Sequence, residues 1–86
     1  MATPTIHADF MNADPQGRVR LNGVGTVEDL GRLGLRLADG LRIVVHDGEL
    51  EADGVVVYST DEHLWVAVID WDALRPVTKL VVSPRI

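Results

Sequence analysis

The sequence predicts a small, mainly β domain: a strongly bent antiparallel sheet of about five strands with one short α-helix. Two observations carry this. Turn-forming residues cut the chain into short pieces, and most pieces are rich in Val, Ile or aromatic residues with period-2 alternation. At 86 residues the chain has room for one domain, residues 1–86, and its 47% hydrophobic content can fill a core without any cysteine.

Residues 5–11 (TIHADFM) read as a first strand. The following NADPQG is dense in turn formers, with Asp14 and Pro15 placed to start a turn and Gly17 to close it. Residues 18–22 (RVRLN) then alternate polar and apolar, which predicts an N-terminal hairpin. The helix is expected to start at Thr26, after the flexible link GVG. Thr26 and Asp29 have capping spacing, and Glu28 and Asp29 set negative charge at the positive end of the helix dipole. Val27, Leu30 and Leu33 would share its buried face, and Gly34 would end it in a left-handed conformation.

From Leu41 the pattern is β. LRIVVH is an apolar run, and Asp47-Gly48 marks a tight reversal. ELEADGVVVY carries a second strand with a bulge or bend at Gly54, and the loop at residues 59–62 leads into HLWVAVIDW, residues 63–71. These three strands form a meander. A turn or single helical turn is expected near Ala73 to Arg75, stopped by Pro76, and residues 72–86 read as a further edge strand or a flexible tail.

The stretch LRIVVHDGELEADGVVVYSTDEHLWVAVIDW, about a third of the chain, resembles the strand, turn, strand, loop, strand meander of SH3-like small barrels. The resemblance implies about five short, strongly bent strands, a geometry that bends at Gly48 and Gly54 suit. The acidic and aromatic loop pairing with which peptide-binding SH3 domains hold proline-rich ligands is missing, so that activity is not implied.

Charge is uneven along the chain. Between Ile43 and Asp72 there are eight acids and no Lys or Arg, within a net charge of −5. A surface of that sign repels phosphates, which argues against nucleic acid and against acidic membranes as partners. It also admits an acidic imitation of nucleic acid, for which −5 is a modest charge. No stretch approaches the roughly 18 apolar residues that span a bilayer, no basic-then-apolar leader opens the sequence, and the lack of cysteine fits the cytoplasm.

The motifs that would carry chemistry fall short. Glu49, Glu51, Asp53 and Gly54 imitate the opening of a calcium loop, but the closing position is Thr60, so the acids read as one solvated strand face. His7, His46 and His63 show no HxH or HExxH spacing and read as surface residues beside turns. Ser59 and Ser83 lack a nucleophile elbow, and GVGTVEDLGRLG misses the phosphate-loop spacings. No catalytic, cofactor or metal residue is assigned.

The last strong strand is apolar on both sides: Trp65, Ala67, Ile69 and Trp71 face one way, Leu64, Val66, Val68 and Asp70 the other. One side fills the core and the other needs a cover, from within the chain or from a partner. The expected function is therefore a non-catalytic protein-interaction or oligomerisation module, with Trp65, Trp71, Tyr58 and Ile69 as its aromatic face and Glu49, Glu51 and Asp53 as its acidic meander. The alternative is a small ligand-binding or hydrolytic barrel that uses His46 or His63 with a neighbouring carboxylate.

Overall fold

The computed structural model describes residues 3–77. Along the chain run β1 (Thr5–His7), β2 (Val19–Arg20), α1 (Val24–Leu33), β3 (Arg42–His46), β4 (Leu50–Ser59), β5 (Leu64–Ile69), a 3-10 turn (Trp71–Ala73) and β6 (Arg75–Pro76). The strands join in the order β1-β3-β4-β5-β2, and β6 pairs with the start of β4. The result is a curled, mixed sheet that forms a half-barrel, compatible with a small barrel fold.

The meander forms as its pattern demands. Asp47 makes the β3–β4 reversal, its carboxylate accepting from the N–H groups of Glu49 and Leu50 at 2.9 and 2.8 Å, while Gly48 supplies a φ of 99°. These bonds hold the Asp47 carboxyl below its usual value. Ten-residue β4 is the spine of the sheet: it pairs antiparallel with β3 on one side, and with β5 then β6 on the other.

Gly54 lies in unbroken register between Ile43 and Ile69, so it is not the bulge that its glycine suggested. A Cβ there would stand 3.1 Å from the Ile69 side chain, so the glycine makes room inside the curl.

The curl follows from how the N-terminal segment is used. Thr5–His7 pairs in parallel with β3, at one end of the strand order. A few residues later Ala13 bridges Val19 of β2, at the other end, and Arg20 N–H donates to the Asn12 carbonyl at 2.9 Å. One continuous segment therefore touches both edges, which a flat sheet of five strands would not permit. The expected hairpin survives only around residues 12–20, because β1 leaves it for β3. Its turn does form as expected, with Gly17 at φ 79°.

Helix α1 corrects the sequence reading. It starts two residues earlier, behind Gly23, and Thr26 is buried within it instead of capping it. Val27 and Leu33 are 60% and 43% exposed, so the buried stripe is not the expected one. The helix docks through polar bonds to an edge: the Thr26 hydroxyl donates to the His7 carbonyl at 2.6 Å, and Asp29 accepts the His7 N–H at 2.7 Å. Those two groups of His7 point off the free side of β1, and the helix satisfies both. Gly34 ends the helix in the left-handed region as expected, with Leu35 N–H returning to the Leu30 carbonyl at 3.0 Å.

Ile6, Phe10, Val19, Ile43, Val45, Ala52, Val56 and Ala67 form the core inside the curl, with Leu30, Leu35, Leu37, Leu41, Trp65, Ile69 and Leu74 packed against it. Each fully buried Val or Ile contributes about 1.5–3 kcal/mol. Strand β5 ends at Ile69, short of the expected Trp71, because the Asp70 carboxylate caps a 3-10 turn by accepting the Asp72 N–H at 3.0 Å. Arg75 and Pro76, expected to end a turn, form the short strand β6, and residues 78–86 of the expected edge strand or tail lie outside the described residues. Among the described residues, no helix is long and apolar enough to cross a membrane.

Candidate functional site

The residues expected to form an aromatic surface divide between several duties. Trp65 and Ile69 pack against the core. Tyr58 stands opposite Trp65 in the β4–β5 register, their rings edge to face with centres 5.0 Å apart, and it is 39% exposed at the rim. Trp71 is not on their strand face. Its Nε1–H donates to the Gly17 carbonyl at 2.7 Å, and its ring meets buried Phe10 edge to face, which ties the N-terminal turn to the end of β5.

The acidic meander is partly neutralised from within. Arg75 on β6 reaches Glu51 at 2.8 Å and Asp53 at 3.3 Å. Glu49 is exposed beside the reversal. Elsewhere Arg18 pairs with Asp14 and Arg20 with Glu62, both at 2.7 Å.

On the outer face of the sheet, alternation aligns side chains in rows across the strands. One row runs Arg42, Val55, Val68, and its neighbour runs Val44, Asp53. Val55 and Val68 stand directly opposite one another and are 36% and 45% exposed, Val55 midway along β4 and Val68 one residue before the end of β5. Next along β5, Val66 is fully buried beside Val57 and Arg20. Among the described residues, the cover that this strand needs is therefore complete at Val66 and missing at Val68. The sequence singled out Val68 on this face but not Val55, whose partner follows only from the register.

The three histidines separate. His63 sits with φ 57° in the turn before β5, at the far end of β4 from His46, roughly 25 Å along the strand. His7 and His46 are direct neighbours in the parallel β1–β3 register, their rings 5.3 Å apart between centres and nearly perpendicular. They line a hollow with Gly25, Glu28, Asp29 and Arg32 of α1. The sequence reading set His7, His46 and His63 down together as surface residues because no ligand spacing joins them; His7 and His46 lie 39 positions apart and only the parallel pairing brings them together.

Charge in this hollow is set by backbone contacts. The His7 N–H, and then Arg32, hold the Asp29 carboxyl below its ordinary value against the opposing effect of burial. Among the described residues, no group of three or more His, Asp or Glu side chains is drawn together in a way that could hold a metal ion. The chain matches no protein family, no curated protein and no solved structure.

Proposed function

We propose that the chain is a small SH3-like barrel acting as a non-catalytic protein-association module, and that it pairs with a second copy of itself through the outer face of β4 and β5. The observation that carries this reading is the Val55–Val68 pair on that face, left uncovered among the described residues. Exposed valines on adjacent central strands gain free energy when covered, at about 25 cal/mol per Å² of apolar surface removed from water.

A second copy suits the rim of the patch. Arg42 borders Val55 on one side, and Asp53 lies one row along. Both signs flank one apolar centre, so a two-fold arrangement sets Arg42 of each copy against an acid of the other.

The test is solution mass by light scattering across a wide concentration range. The wild-type chain should shift from monomer toward dimer as concentration rises, and added salt should weaken the shift. Val68→Asp should remain monomeric while folding normally, since that side chain is exposed. A wild-type protein that stays monomeric throughout overturns the reading.

A further inference from the structure

We propose that His7 and His46 form a binding site for a divalent transition-metal ion of the zinc or nickel class, held by the two imidazoles with water completing the shell. Imidazole is the side chain these ions prefer, and two of them stand side by side here without any local sequence motif. Their spacing suits one shared ion. A ligating nitrogen lies about 2.0–2.1 Å from zinc and a ring centre roughly 1 Å behind it, so two imidazoles on one tetrahedral ion have centres about 5 Å apart. The observed separation is 5.3 Å.

The His7 ring is placed from several directions. A Cβ at Gly25 would lie 2.6 Å from His7 Nδ1, so the ring occupies a slot that only a glycine leaves open. That contact puts the Nδ1 edge against the helix and leaves Nε2 on the opposite side of the ring. The main chain of His7 is fixed by Asp29 and Thr26. His46 is fixed by its pairing with His7 on one side and Glu51 on the other. Ligands held in place lose little freedom when the ion arrives.

The helix wall of the same hollow carries Glu28, an exposed carboxylate that adds negative charge to the lining without joining the ligand set. Asp29 is less available, because one oxygen holds His7 N–H and the other accepts from Arg32 at 3.0 Å. Arg32 also borders the hollow, with its charge directed at Asp29. The net charge of −5 favours a cation over an anion in such a position.

The experiment is calorimetric titration of the full chain with zinc chloride and, separately, nickel chloride, with NMR to locate the perturbed histidines. One ion should bind per chain and move the His7 and His46 resonances but not those of His63. His46→Gln should weaken binding at least about tenfold, since even residues that only orient metal ligands are worth 10–100-fold. Glu28→Gln should weaken it less, and His63→Gln should leave it unchanged. Absence of binding by the wild type, equal binding by His46→Gln, or loss in His63→Gln overturns the proposal. His46→Gln removes no core residue, so it stays informative even if His7→Gln disturbs the helix contact. Solution mass of Val68→Asp reports on the association surface alone, so the two proposals fail separately.

Discussion

The carboxylate of Asp29 accepts the main-chain N–H of His7 at 2.7 Å, a bond across twenty-two positions that joins the helix to the edge of the sheet. Asp29→Ala leaves that N–H facing an apolar side chain and is expected to cost about 1–3 kcal/mol. Asp29→Asn retains an acceptor oxygen and should cost less. Chemical denaturation of the three proteins checks the order. The sign of the pH effect is fixed as well. Because the folded carboxyl titrates below its usual 3.8, its contribution is present above that pH and is lost as the pH falls through the lower folded value. The stability difference between wild type and Asp29→Asn should therefore shrink below about pH 4.

Asp14 organises the first turn in the same way, with more of the chain depending on it. One oxygen accepts the N–H groups of Gln16 and Arg18 at 2.9 and 2.8 Å, and the other takes the Arg18 guanidinium at 2.7 Å. Burial pushes this carboxyl upward, but the Arg18 and Gln16 bonds together hold it below the usual range. Asp14→Ala should destabilise by about 1–3 kcal/mol, as buried donors lose their acceptor. Acid denaturation is again the readout, with Asp14→Ala losing less stability than wild type on acidification.

Two glycines of one helix should respond in opposite directions to alanine. At Gly31 nothing lies within 4 Å of the added methyl group, so Gly31→Ala should stabilise by about 0.5–1 kcal/mol through helix propensity. At Gly25 the same change drives a carbon into the His7 ring, and the strain of about 1–3 kcal/mol should exceed the propensity gain. Thermal unfolding of the pair distinguishes a helix that needs its glycine from one that tolerates it.

These contrasts show which parts of the molecule were legible in the sequence. The meander was, because period-2 alternation and an Asp-Gly reversal are local signals that tertiary contacts reinforce. The start of α1 was not. Gly23, Val24 and Gly25 are weak helix formers, and the contacts that seat this end of the helix are the bonds of Thr26 and Asp29 to His7 on β1. The parallel pairing of β1 escaped for a related reason. TIH is three residues of ordinary edge-strand character, and nothing within it chooses β3 over the nearer hairpin partner. The His7–His46 contact depends on that choice, so it could not be read before the topology. The Val55–Val68 patch was half legible: alternation set Val68 on the face opposite Trp65 without saying which face is outside, and its partner required the register.

Trp71 tests whether an exposed aromatic residue serves the fold or a partner. It is 40% exposed, which makes it a natural anchor for a binding surface, yet its indole N–H bonds to Gly17 and its ring lies against Phe10. Trp71→Phe keeps the ring contact and deletes only the hydrogen bond, which should cost about 0.5–1.5 kcal/mol. Trp71→Ala removes the aromatic pair as well, worth a further 0.5–1.5 kcal/mol or so beyond its buried area. Gly17 holds the turn in which Asp14 and Arg18 are paired, so amide exchange around residues 14–18 should accelerate in both variants, more strongly in Trp71→Ala. Concentration-dependent association should be unaffected by Trp71→Phe if Trp71 secures its own chain. A variant that folds with unchanged stability but no longer self-associates would place Trp71 on the interface instead, and the Val55–Val68 patch would then be only the rim of a larger surface.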